Sequence, residues 1–451
     1  MDAVKRDRAE ADEQEQPPTK TLKVEETGAA KEEDSKQPNP DADAKAQDDE
    51  SKQSKHSHPK QRFAVLFGYC GTGYKGSQIN PPHDTIESEF MKAAVKAGSV
   101  SEDNIDPKKV GLNRCARTDK GVHAAGNVVS LKMRAIPNLV EALNAHLPPQ
   151  IRVYDCLRVT GSFNAKNHCG GRQYEYFMPT YILKKSSHTL YPHSNLPEDS
   201  NEAAQPLTEG CELGGSYVVV DSPETHEELR KFRVGQDELA HLREILKTYE
   251  GTHNFHNFTV HCKFKDRHAG RYITSVTACE PFVRPDGTEW ISLRVNGQSF
   301  MLHQIRKMVG FAVMLVRTGT PANLVARVYK DEKINIPKAP ALGLLLRKPL
   351  FDSYNKTHKE KHADRPEIDF EPYQHLIGPL VEEWINKDMY KEEIEKHVYK
   401  GWLDGIDMRN LDYAWWLTKD GSIRTDLKPA GGVKADEDGD EAGSKKTFDD
   451  E

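Results

Sequence analysis

The 451-residue chain predicts an α+β fold made of two halves. Strand-like and helix-like stretches alternate in two blocks, roughly 62–180 and 216–350. The stretch between them, 184–215, loses all period and fills with Ser, Pro, Asn and Glu, as a surface insertion does. Both ends are rich in Glu, Asp, Lys, Gln and Pro, with too little apolar content to fold, so both tails are expected to be disordered.

In the first block "RFAVLFGY" reads as a buried strand, and "CGTGYKGSQ", with its three glycines, as a loop. "DTIESEFMKAAVKAG" reads as a helix with Asp84 as N-cap, Glu87 three residues on, and Gly98 as the stop. "GLNRCARTDKG" then turns into the strand "NVVSLKM". A helix, "NLVEALNAHL", and two strands, "IRVYDCLRV" and "GRQYEYFM", complete the block.

The second block opens with the helix "DELAHLREILKTYEG". "RYITSVTACEPFV", the turn "RPDG" and "EWISLRVNG" form a hairpin. "SFMLHQIRKMVGFAVMLVRTG" reads as a long apolar helix over 299–316, followed by "TPANLVARV" with Pro321 in its first turn. A final amphipathic helix is expected over roughly 375–399.

Composition narrows the function class. No apolar run approaches the ~18 residues of a membrane span, and no secretory signal is expected from the charged N-terminus. Seven cysteines without a CxxC pair argue against a disulfide framework or a zinc finger. The net charge of −7 is unevenly placed: residues 1–60 carry 16 acidic and 11 basic side chains, and 431–451 carry 8 and 3. The body between is mildly basic, at +3, which permits an RNA partner.

The chemistry-bearing candidates are spread along the chain. Asp119, in "RCARTDKGVHA", sits close to Arg117 and Lys120, whose field favours the anion. Alone it reads as a turn aspartate before glycine. Tyr174 and Tyr176 lie two apart on a strand, hence on one face, and can offer a flat surface to a base. Arg306 sits in the apolar helix, where a guanidinium needs a carboxylate partner, and Asp119 suits. "THNFHNFTVHC" gathers His253, His256, His261 and Cys262, but the spacing matches no common ligand set, so a loop held by hydrogen bonds and packing is expected. The cationic run 263–271 reads as solvated charge and is also suited to a phosphate track.

Four motifs in one order, over about 290 residues, resemble the TruA-type pseudouridine synthases: "RTDKGVHA", "RQYEY", "SFMLHQIRKMVG" and "APALGLLL". "VLFGYCGTGYKG", "NPP" and "GTHNFHNFT" are most similar to the eukaryotic multisite tRNA branch; Ser77, where a larger residue is commoner, is a departure in loop packing. The resemblance implies two ferredoxin-like (RRM-like) halves with a joined antiparallel sheet, helices on one side and a central basic cleft. It implies an isomerase that turns uridine into pseudouridine in tRNA around the anticodon stem, and in other structured RNAs such as snRNA or mRNA, with no cofactor and no metal. Asp119 would be the covalent catalyst, attacking carbon 6 of the ring or carbon 1 of the ribose. Tyr174 would stack on the base, Arg306 would aim Asp119, and Arg117 would fill the gap of the flipped base. Leu344 would pack under the uracil, and Lys120 and His123 would touch substrate. The alternative on this fold is a catalytically silent RNA-binding protein or tRNA-folding chaperone.

The expected organisation is a tail (1–60), a catalytic half (61–183), the insertion (184–215), the second half (216–365), a helical extension (366–428) and an acidic tail (429–451). A monomer with no obligate protein partner is expected from the resemblance. A nuclear location is expected from "KRDR" and "PPTKTLKV", with cytoplasm or mitochondrion as alternatives; Asp2, Asp7 and Glu10 do not suit a mitochondrial presequence.

Overall fold

The computed structural model describes residues 59–184, 189–192, 216–219, 225–361 and 365–408, and these fall within one compact unit, Ser57–Glu451. Most of both expected tails and most of the expected insertion lie outside the described residues. Within the insertion Thr189–Pro192 is described, and its backbone pairs antiparallel, as a two-stranded ribbon, with Ser216–Val219 at the start of the expected second half.

In chain order the elements are β1 (Lys60–Tyr69), α1 (Ile86–Lys96), β2 (Asn113–Arg114), β3 (His123–Arg134), α2 (Leu139–Asn144), β4 (Ile151–Arg158) and β5 (Gly171–Pro179). The ribbon, β6 (Thr189–Pro192) and β7 (Ser216–Val219), follows. Then come α3 (His226–Lys231), α4 (Gln236–Lys247), β8 (Gly251–Asn254), β9 (Gly270–Ala278), β10 (Phe282–Val283) and β11 (Glu289–Gly297). The chain continues through α5 (Gln304–Thr318), α6 (Val325–Val328), β12 (Leu344–Leu350) and α7 (Asp352–Lys361). It closes with α8 (Gln374–Leu380), α9 (Lys387–Lys396) and α10 (Val398–Met408).

Ten strands form one sheet, ordered β4-β1-β3-β12-β5-β11-β9-β8, with β10 on β11 and β2 on β3. Every pairing is antiparallel except that of β12 with β3. β12 therefore closes the gap between the strands of the first block and β5, joining the halves through main-chain hydrogen bonds. β1 explains its own unbroken apolar run. Phe63, Val65 and Phe67 face the larger core, with α1, α2, α4 and α5, while Ala64 and Leu66 face a second core on the opposite side. A strand covered on both faces has no need of a polar alternate. The second core is closed by the C-terminal extension, through Phe370, Ile377, Leu380 and Ile385. The helices of the two halves thus share one side, and the extension packs on both, α8 and the turn after it against the second core and α9 and α10 against the first.

The element ends differ from those expected. α1 is capped by Thr85, not Asp84, with Ser88 returning the bond in a capping box. Glu87, expected to close that box, is buried and paired with Arg114 instead. α5 begins at Gln304, five residues later than expected, because His303 takes a left-handed conformation (φ 61°). Pro321 precedes a 3-10 turn rather than opening a helix. The single helix expected over 375–399 is broken. Pro379, which has no N–H to donate, sits inside α8, and a π turn (Val381–Asn386) follows directly. His397 (φ 50°) then ends α9.

Candidate active site

The turn bearing Asp119 is tied down on both sides of the carboxylate. Thr118 donates its N–H to Ser77 Oγ at 2.9 Å, its carbonyl accepts from the Ser77 N–H at 3.0 Å, and its hydroxyl lies 2.9 Å from that of Tyr69. Asn127 Nδ2 donates to the Tyr69 hydroxyl from below, at 3.3 Å. Past the aspartate, Val122 N–H donates to the Asp119 carbonyl at 3.1 Å and Gly121 N–H to Tyr74 O at 3.3 Å. Gly121 holds φ +74° and Gly76 φ +95°, and a Cβ on Gly76 would sit 3.1 Å from Thr118 O. The glycine-rich loop 71–76 and the Asp119 turn therefore brace each other, and the positive φ at Gly76 and Gly121 is the conformation that glycine adopts without strain. Ser77, the departure noted in the sequence, is one of the braces.

The loop has a second support from far along the chain. Thr72 Oγ1 donates to Asp388 Oδ2 on α9 at 2.5 Å, and Gly71 N–H donates to His123 Nδ1 at 3.1 Å. Burial pushes the His123 pKa down to about 4, so its imidazole is neutral at physiological pH. This corrects the substrate-contacting role expected of His123: at 1 % exposure it lies under the turn, where its acceptor nitrogen serves a backbone N–H.

Facing the turn is the start of α5. With His303 in the left-handed region, its ring swings back so that Nδ1 lies 3.0 Å from Asp119 Oδ2. The carboxylate remains 31 % exposed. Burial, the largest single influence, works against its charge. The His303 hydrogen bond and charge, with the charges of Arg306 and Lys338, together outweigh it and hold Asp119 below the ordinary carboxyl value. The Arg306 Nε donates to Ala339 O at 2.6 Å, which fixes the guanidinium over the segment before β12. Next to it, Lys307 is buried, its Nζ donating to Thr259 O at 3.1 Å, and burial lowers its pKa to about 8.

Tyr174, on β5, is 8 % exposed and meets the ring of Phe300 edge-on at 5.2 Å. Burial above all, with the nearby Asp119 charge among the lesser causes, raises its phenol far above the ordinary value, so it stays neutral. Leu344 starts β12 opposite Tyr176 and is nearly buried. Tyr176 itself is wholly buried, with its hydroxyl donating to Pro340 O at 2.8 Å. Arg117 and Lys120 are exposed on either side of Asp119.

The fold thus brings Asp119, Tyr174 and Arg306 into one neighbourhood from three distant stretches of chain. It adds His303, which the sequence reading passed over. Helical spacing could not have found it, because His303 lies outside α5 as its left-handed N-cap. The histidines of "THNFHNFTVHC" do not gather. His253 stacks on Tyr329 at 4.4 Å, and His256 Nδ1 lies 3.1 Å from Asn254 Oδ1. Among the described residues a different trio, Cys262, Asp266 and His268, places its donor atoms within 4.8 Å of one another.

Comparison with known proteins identifies a family and named relatives. Residues 245–352 match a family described as tRNA pseudouridine synthase. The chain is 39 % identical to tRNA pseudouridine synthase 1 of Yarrowia lipolytica, over 87 % of this chain and 83 % of that protein. It is 40 % identical to the protein of that name from Saccharomyces cerevisiae, over 78 % of this chain and 72 % of the relative. To the mouse pseudouridylate synthase 1 homolog it is 34 % identical, over 78 % and 75 %.

Proposed function

The chain belongs to the tRNA pseudouridine synthase family, and we propose that it isomerises uridine to pseudouridine in tRNA with Asp119 as the covalent catalyst. The observation that carries this reading is the half-buried Asp119 carboxylate, held as an anion by His303 and aimed from a turn braced at Thr118. A silent RNA binder has no use for a carboxylate in such a place, because the anion repels phosphate.

In the reaction the bond between ribose carbon 1 and uracil N1 breaks, the base turns, and a bond forms from ribose carbon 1 to carbon 5. The hydrogen on carbon 5 leaves as a proton and N1 gains one, so substrate and product are isomers and no redox partner is required. Asp119 forms and then releases the covalent bond. Arg306 and His303 hold it ionised and oriented; Tyr174, neutral and mostly buried, offers the stacking face for the flipped base. Leu344 packs beneath the uracil, Arg117 fills the gap left by the flipped base, and Lys120 touches the RNA.

Uridines in and around the anticodon stem are the proposed targets, with other structured RNAs such as snRNA or mRNA as further ones. We also propose a nuclear location and a monomeric enzyme, the former resting on the short basic pieces near the N-terminus. The test is release of tritium from tRNA labelled at uridine carbon 5. Wild-type protein releases the label and Asp119→Asn does not; equal release by both would remove Asp119 from the chemistry.

A further inference from the structure

A cleft of about 550 Å³ opens beside the catalytic turn, lined by Arg172, Thr252, Arg271, Tyr272 and Gln298 among others. Nothing in the reaction as derived above uses it. We infer that this cleft binds the nucleotide next to the target uridine in the RNA chain, its base stacked on Tyr272 and its phosphate held by Arg172 and Arg271. The inference rests on the proposed RNA isomerase and adds to it a second base-binding position.

The cleft is contiguous with the catalytic segments. Arg172 Nη2 donates to Cys115 O at 2.9 Å, four residues before Asp119, and Nη1 donates to Gln298 O at 2.8 Å, five before His303. One guanidinium therefore spans the two segments that supply the catalytic pair. Tyr272 approaches this region through its main chain. Its carbonyl lies where a Cβ on Gly297 would meet it at 3.1 Å, and the same Cβ would meet the Phe300 ring at 2.8 Å. Phe300 in turn meets Tyr174 edge-on. Gly297 thus lets the Tyr272 main chain and the Phe300 ring approach each other closely. The lining has the matching chemistry. Tyr272 is 48 % exposed on a strand paired on both sides, so its ring is presented from a rigid support. The Arg271 guanidinium makes its hydrogen bond through Nη1 to the adjacent Gly270 O, at 2.8 Å, which leaves other donors for a ligand oxygen. A flat aromatic with two guanidiniums is the pattern of a single-stranded nucleotide site, where stacking supplies affinity without strict base choice. A base flipped at Tyr174 needs its neighbour unstacked too, and Arg172 ties this cleft to the segments that carry Asp119 and His303.

The experiment compares wild type, Tyr272→Ala and Tyr272→Phe on a tRNA transcript and on the same tRNA with single abasic nucleotides next to the target. Tyr272→Ala is expected to raise KM and Kd about tenfold with kcat within about twofold, while Tyr272→Phe keeps wild-type values. On the tRNA lacking the stacked base, wild type is expected to weaken to the level of Tyr272→Ala, and the variant to lose nothing further. Arg271→Met is expected to weaken binding and lower the salt dependence by about one ion. Unchanged Kd in Tyr272→Ala, a penalty that persists on every abasic tRNA, or a loss confined to kcat would each overturn the inference. Wild-type turnover is the separate control: its absence would sink the isomerase reading, and the Kd comparison would still decide the role of Tyr272.

Discussion

At Asp119 burial and charge pull in opposite directions, and the side chains around it decide the outcome. Removing His303 takes away both the hydrogen bond and the charge that oppose burial, so the Asp119 pKa must rise. His303→Ala is expected to lower kcat at least tenfold, leave KM nearly unchanged, and move the acidic limb of the pH–rate profile upward; an unshifted limb would show that His303 does not govern the ionisation. Arg306 contributes through space. Asp119→Asn and Arg306→Met are expected to be non-additive in kcat, because the double variant has lost the anion that Arg306 serves; independent, multiplying effects would separate them. His123 gives a stability prediction. Its pKa drops from 6.5 to about 4 on folding, so the unfolded chain binds the extra proton between these values and stability falls as pH drops through that window. The loss by pH 4 is roughly 3 kcal/mol. Denaturant unfolding of His123→Asn is expected to lack that part of the slope.

Among the elements, the C-terminal helices carry more than their late position in the chain suggests. Phe370, Ile377, Leu380 and Ile385 cover the second face of the sheet, and Asp388 holds Thr72 in the loop that braces the catalytic turn. Full burial of four such side chains contributes on the order of 6–12 kcal/mol, comparable to the roughly 5–15 kcal/mol net stability of a whole domain. A chain ending at Arg365 is therefore expected to aggregate or bind an apolar dye, and a soluble, active truncation would contradict the packing described. Asp388→Ala is milder. It removes the hydrogen bond from Thr72 and a weaker one from the Cys70 thiol, costing about 1 kcal/mol, and its effect is expected in kcat through the loop at 71–76.

For the whole molecule the decisive quantity is where the charge sits. Residues 1–60 hold a net −5 and the central body +3, so the overall −7 misstates what an RNA meets. Deleting residues 1–60 is expected to leave turnover within about threefold and to tighten tRNA binding modestly at low salt, an effect that fades as the Debye length shortens. Loss of turnover beyond that would give the segment a role in the folded body.

Much of this molecule is written locally. β1, α1, α4, the hairpin of β9 and β11, and the turn at Asp119 follow from period, glycine placement and caps, all of which act within a few residues. Motif order was enough to bring Asp119, Tyr174 and Arg306 under one family resemblance. What the sequence could not settle depends on groups that meet across the fold. His123 reads as a polar turn residue until its burial and its bond to Gly71 are known. His303 reads as one more helical residue until its left-handed backbone turns the ring onto Asp119. The insertion of β12 between β3 and β5 has no local signature, since any apolar strand would read alike. The reason is physical: propensity and period are properties of neighbours in the chain, whereas burial, ionisation and strand order are set by neighbours in space, which here lie 184 residues away at the catalytic pair and 316 at the loop that supports it.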